Sequence, residues 1–232
     1  MAATMHAFAN GAELARNLAD KVAASLSAAI EARGTATLAV SGGSTPKLFF
    51  QELSARDLDW TRVTITLVDE RFVAADNPRS NHLLVAENLL QNKATAANFL
   101  PLYQVADSVE DAAKLATHAT APIGNPFDVA ILGMGGDGHT ASFFPGGSNL
   151  KVALDPSTPR GIITMEADGA GEPRLTFTFS SLQDARLLVL HIEGESKKDV
   201  LAKAEGAGEE AEMPIRAILR RATSPVDIYW AP

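Results

Sequence analysis

The stretch ILGMGGDGHTASFFPG, residues 131–146, sets Asp137 two residues before His139 in a glycine-dense loop that follows the apolar run FDVAIL. A carboxylate beside an imidazole can fix its tautomer or raise its basicity, which a general base working near neutral pH requires. Glycines such as Gly135 leave the backbone open for a small molecule to approach. The competing reading is a packing histidine; His6, His82, His118 and His191 carry no comparable sequence context. Two potential ligands at i and i+2, with no third nearby in sequence, make a weak metal site, so none is expected. There is no cysteine to act as nucleophile and Ser142 lacks a G-x-S-x-G elbow, which leaves water as the expected nucleophile.

Two further segments carry anion chemistry. Ser41-Gly42-Gly43-Ser44-Thr45 precedes Pro46 and an apolar-periodic helix. Its glycines would turn backbone N–H groups toward an oxyanion, its hydroxyls would donate further bonds, and the helix N-terminus would add a favourable dipole. The alternative is a tight strand-to-helix turn that needs a positive φ. The loop is neither GxGxxG nor a Walker loop, which disfavours a nucleoside triphosphate. Asp69-Glu70-Arg71 ends another apolar run, where Arg71 could grip a phosphate or carboxylate through its planar fork or simply be a solvated strand-end charge. Arg79, Arg174, Lys197 and Lys198 are the other basic candidates, each readable alone as a surface charge.

The elements that must carry these loops follow from periodicity. Leu14, Leu18, Val22, Leu26 and Ile30 recur every fourth residue and predict a helix over 11–32, stopped at Gly34. TATLAV (35–40), VTITLVDE (63–70) and FDVAILGMG read as buried strands. RGIITMEA (160–167), RLTFTFSSL (174–182) and RLLVLHIEG (186–194) are further strand candidates, the middle one with alternating hydroxyls that predict one polar face. Helices are expected from Pro46, over 79–91 with Ser80 as cap, over 107–121, and in SKKDVLAKAE and MPIRAILRRA; VDIYWA closes as a strand. Alternation of strand and helix predicts a doubly wound, Rossmann-like α/β fold: a largely parallel sheet flanked by helices, with some later strands antiparallel. With no long linker or repeat, residues 1–232 are expected to form one domain. In such a sheet, ligands bind beyond the carboxyl ends of strands, so all three loops should meet at one rim.

A net charge of −8, from 20 basic and 28 acidic residues, argues against general nucleic-acid binding, though a few local cations can still hold a small anion. No run is long and apolar enough to predict a spanning helix, and no signal peptide is read at the start. The lack of cysteine fits a reducing compartment, and a cytoplasmic protein is expected. No obligate protein partner is evident.

Together SGGSTPKLF, LVDERFV followed by SNHLL, GMGGDGHTASFFPG, PRLTFT and the GESKK segment resemble, in order, the glucosamine-6-phosphate isomerase/6-phosphogluconolactonase family, over roughly residues 8–230. One departure is Phe143, where a leucine is expected before Phe-Pro, an apolar exchange without chemical consequence. The resemblance implies hydrolysis of 6-phospho-D-glucono-1,5-lactone to 6-phosphogluconate in the oxidative pentose phosphate pathway, without cofactor. It implies that His139 activates water, that Asp137 orients His139 or the substrate, and that the 6-phosphate lies on the 41–45 loop with Arg71 and Lys197 helping. Asp69, Gly135 and Arg174 fall within the same motifs and complete the expected substrate site. In the isomerase/deaminase branch the segment after Asp-Gly-His resembles Ile-Ala-Phe-Asn-Glu; here it is Thr-Ala-Ser-Phe-Phe-Pro, without the glutamate, which favours the lactonase branch. A non-catalytic sugar-phosphate sensor would carry a basic DNA-binding module, and none precedes Thr35.

Overall fold

Leu14, Leu18, Val22 and Leu26 are fully buried and form the inner stripe of helix α1 (Gly11–Arg33). The Asn10 side chain accepts the Glu13 N–H at its start, and Gly34 closes it in the left-handed conformation at φ 83°. The structure, a computed structural model, describes residues 3–232. After α1 the chain runs through β2 (Ala36–Val40), α2 (Lys47–Ser54), β3 (Val63–Leu67), β4 (Asp69–Arg71), α3 (Asn81–Asn88), β5 (Asn98–Leu100) and α4 (Val109–Thr120). It continues through β6 (Val129–Leu132), α5 (Leu150–Leu154), β7 (Ile162–Met165), β8 (Arg174–Phe177), α6 (Phe179–Leu182), β9 (Leu187–Glu193), α7 (Glu195–Glu205), α8 (Ile215–Arg221) and β10 (Val226–Ala231). A short first strand, β1 (Thr4–Ala7), precedes α1.

Seven strands form one sheet in the order β1-β10-β9-β6-β2-β3-β5, and every pairing in it is parallel. The succession reverses between β2 and β6, so a crevice opens beyond their carboxyl ends, where the expected rim lies. The central strands β2 and β6 are apolar almost throughout because helices cover both faces. Each fully buried Leu, Ile or Phe side chain contributes about 1.5–3 kcal/mol relative to exposure.

Three differences from the sequence reading have physical causes. The run 63–70 is not one strand: β3 ends at Leu67 and β4 belongs to a second, three-stranded antiparallel sheet of order β4-β8-β7. Val68 is the junction, donating its N–H to Val40 and accepting from Phe177. The run 174–182 is likewise cut, with β8 ending at Phe177 and the short helix α6 following. Its alternating hydroxyls face no solvent: Thr176 is fully buried, and Thr178 bonds Pro159, Ser180 and Ser181 internally. Finally, β9 is a parallel core strand, while the early segment β4 is antiparallel. The helix expected over 79–91 is shorter, Asn81–Asn88, with Ser80 capping it through bonds to His82 and Leu83. β1, β5 and α5 were not foreseen; the two strands are only four and three residues long, too short to show a period.

Candidate functional site

The three loops do meet. A cavity of about 370 Å³ is lined by Ser41 to Pro46 after β2, by Asp69 and Arg71 of β4, and by Gly133, Gly135 and His139 after β6. Asn81, Phe144, Arg174, His191 and Lys197 complete its wall. Of the residues expected to form the catalytic and substrate site, Asp137 alone does not line it; it bonds the His139 ring instead.

His139 hangs from a loop whose glycines are needed for its shape. Gly138 takes φ 80°, and a Cβ at Gly135 would lie 2.1 Å from His139 Nδ1, so the imidazole folds against bare backbone there. Asp137 Oδ1 is 2.6 Å from His139 Nδ1 and also accepts the His139 backbone N–H at 3.0 Å. A carboxylate accepts, so Nδ1 carries the proton and Nε2 presents a lone pair. Burial would raise the Asp137 carboxyl, but the hydrogen bonds and attraction from His139 outweigh it and hold the group below its usual range. The ring packs on Phe144 at 4.6 Å between centroids, and Phe144 in turn carries the Arg174 guanidinium 5.4 Å above its ring.

The 41–45 loop is a turn that opens onto the cavity. Gly43 takes φ 94° with nothing within 4 Å of a Cβ placed there, and no side chain caps the N-terminus of α2 behind it. Gly42 is a close approach instead: a Cβ would lie 1.9 Å from Asn81 Oδ1. Asn81 is buried, donates through Nδ2 to the Asp69 carbonyl at 2.8 Å and accepts from Arg71 Nη1 at 3.1 Å. Arg71 Nη1 also reaches the Arg79 carbonyl at 2.6 Å, while its Nε is buried with no hydrogen-bond partner among the described residues. A guanidinium on the cavity wall can meet an incoming anion through its planar fork.

Glu70 supports this arrangement from beneath. Its carboxylate accepts the backbone N–H groups of Arg71, Asn81 and His82 and the Ser80 hydroxyl, at 2.7 to 2.9 Å. Burial pushes its carboxyl up despite the four donors. Asp69, also buried, accepts the Ser142 hydroxyl at 2.6 Å and thereby ties β4 to the loop that follows His139.

Arg174 is buried at the start of β8, not a surface charge; its Nη2 donates to the Ala170 carbonyl, and burial lowers it against the pull of Asp69. Arg79 pairs with Glu172, and Lys198 lies over the Trp230 ring at 3.9 Å; neither lines the cavity. Sequence reasoning missed Asn81, Phe144 and His191. Asn81 and Phe144 stood inside quoted motifs, SNHLL and ASFFPG, whereas His191 lies in a strand with no motif signal. Among the described residues, no group of three or more His, Cys, Asp or Glu side chains is gathered to hold a metal ion.

Known proteins resemble this chain along its whole length. The family of glucosamine-6-phosphate isomerases/6-phosphogluconolactonase matches residues 9–230. A 6-phosphogluconolactonase of Rhizobium meliloti is 68% identical over 232 residues, covering 100% of both chains. One of Mesorhizobium japonicum is 52% identical over 98% of this chain and 94% of its own. The crystal structure of a 6-phosphogluconolactonase from Shewanella baltica superposes with a TM-score of 0.95 at 40% identity, covering 99% of this chain and 98% of that one. The chain belongs to the glucosamine-6-phosphate isomerase/6-phosphogluconolactonase family.

Proposed function

We propose that this protein hydrolyses 6-phospho-D-glucono-1,5-lactone to 6-phosphogluconate, as a carboxylic ester hydrolase of the oxidative pentose phosphate pathway, with residues 1–232 acting as one catalytic domain in the cytoplasm. The observation that carries the reading is the single cavity in which an anion cradle and an acid-oriented histidine face each other. The 68% identity to a 6-phosphogluconolactonase over the whole chain supports the substrate.

In this reading His139 Nε2 takes a proton from a water molecule as the water oxygen attacks the lactone carbonyl carbon. Asp137 stabilises the imidazolium that forms. The tetrahedral adduct expels the ring oxygen, which receives the proton back, and the ring opens to the acid. General-base help of this kind typically contributes about 10²–10⁴-fold. The phosphate, held by the 41–45 loop, Arg71 and Lys197, fixes the carbonyl against His139 and so supplies the positional part of the rate. Arg174, which packs over the Phe144 ring that His139 also meets, offers positive charge on the cavity wall for the developing oxyanion.

The test is proton release from freshly generated 6-phosphogluconolactone, corrected for spontaneous opening, with gluconolactone as the unphosphorylated control. Enzyme-dependent release that strongly prefers the phosphorylated lactone is expected. Binding of 6-phosphogluconate without any turnover of the lactone would overturn the reading.

A further inference from the structure

Asn81 is the first residue of α3 and is 2% exposed, yet its carboxamide makes no hydrogen bond within that helix. Ser80 supplies the cap, and the Asn81 backbone N–H goes to Glu70. The side chain turns instead to β4 and the 41–45 loop. Its Nδ2 donates at 2.8 Å to the Asp69 carbonyl of β4, which is an edge strand of the small sheet. Its Oδ1 accepts from Arg71 Nη1 at 3.1 Å. The amide fits one way only: turned over, it would set its NH2 against a guanidinium and its oxygen against a carbonyl.

Arg71 needs such a hold. It stands directly opposite Arg174 across β4 and β8, and both side chains line the cavity. The backbone N–H of Phe72 bonds Pro173, so the two arginines form a pair that exchanges no backbone bond, the kind whose side chains come closest. Like charges so placed repel, and a guanidinium without an anchor would swing away. Among the described residues, the Arg79 carbonyl and Asn81 Oδ1 are the two hydrogen-bond acceptors of the Arg71 side chain. The same Oδ1 rests against the 41–45 loop, 1.9 Å from where a Gly42 Cβ would lie. One carboxamide therefore sets the distance between the guanidinium and the loop. A leucine of similar size would leave the Asp69 carbonyl unpaired and Arg71 with one acceptor.

We propose that Asn81 is a positioning residue whose Oδ1 holds the Arg71 guanidinium beside Gly42, so that a phosphate meets the arginine and the 41–45 loop together. The inference deepens the lactonase reading and rests on it for the identity of the phosphate carrier.

A double-mutant cycle tests it, read by calorimetric titration with inorganic phosphate and by kinetics on 6-phosphogluconolactone and gluconolactone. Asn81→Ala should weaken phosphate by about 10-fold, as for a lost bond to a charged group. Its preference for the phosphorylated lactone in kcat/KM should fall by a similar factor, through KM. Introduced into Arg71→Ala, the same change should alter phosphate affinity by less than about 2-fold, because the group it positions is gone. A merely structural residue would give a less stable protein whose folded fraction binds phosphate normally, and that outcome overturns the proposal. Equal losses in the two backgrounds, or equal losses on the two lactones, overturn it as well. Should Asn81→Ala not fold, Asn81→Ser takes its place in the cycle, being polar but too short to reach Arg71. If the cycle is non-additive while the wild-type protein opens no lactone, the lactonase reading fails and the role of Asn81 survives.

Discussion

Asp137 holds His139 twice, through the ring nitrogen at 2.6 Å and through the backbone N–H at 3.0 Å, so one carboxylate fixes both the tautomer of the imidazole and the loop that carries it. His139→Asn keeps an amide N–H near the Nδ1 position for Asp137 and removes Nε2. Background-corrected kcat should fall by about 10²–10⁴-fold with a small change in KM. Wild-type kcat in this variant would move the base elsewhere, with Asp69 the next residue to test.

Asp137 also makes acid stability informative. Its folded-state pKa is depressed, so its contribution to stability is present above the unfolded value of about 3.9 and is lost as pH falls through the folded value. Asp137→Asn lacks that contribution. The stability gap between wild type and variant, measured by denaturant unfolding, should therefore be open above about pH 4 and close as the pH falls below it. The side chain is half exposed, so solvent screening keeps the gap small. A gap that stays open far below about pH 4 would contradict the assignment.

Arg71→Ala should raise KM for the phosphorylated lactone at a modest cost in thermal stability, because the guanidinium makes only two protein bonds, to the Arg79 carbonyl and to Asn81. Each such bond is worth about 1–3 kcal/mol at most. Arg71→Lys should not restore KM, since one ammonium cannot keep Asn81 and also present a planar fork. A variant that unfolds, with its folded fraction binding normally, would make Arg71 a structural residue.

The two glycines of the cradle should respond differently. Gly42→Ala drives a methyl into Asn81, which is locked to Asp69 and Arg71, and should cost about 1–3 kcal/mol of stability as well as raising KM. Gly43→Ala meets open space but a φ of 94°, and should cost about 1 kcal/mol, with its main effect on phosphate affinity. Thermal melts paired with phosphate titration separate the two.

Glu70→Ala strips the acceptor from the Arg71 backbone N–H in β4 and, at the start of α3, from the backbone N–H groups of Asn81 and His82 and the Ser80 hydroxyl. Unfolding titrations should show a loss of at least about 3 kcal/mol, and KM in the surviving folded protein should rise because Arg71 and Asn81 lose their common support. A neutral effect on both would show that water replaces the carboxylate without cost.

What the sequence determined by itself is local. A glycine or serine run at the end of an apolar strand announces a loop open to a ligand, and an acid two residues from a histidine is close enough to bond it whatever else the chain does. The stripe of α1, the caps Ser80 and Gly34, and the parallel alternation were legible for the same reason: each depends on neighbours within a few residues. The tertiary structure decided what depends on distant partners. It turned the chain at Val68 so that Asp69 and Arg71 leave the main sheet, buried Arg174 against Phe144, and set Asn81 over Gly42. It also brought His191 to the cavity that the 41–45 loop lines, from a strand whose pattern shows only burial. Hydrophobic periodicity reports which face of an element is covered, not by what, and the identity of the covering residue is a long-range fact that only the packed sheet supplies.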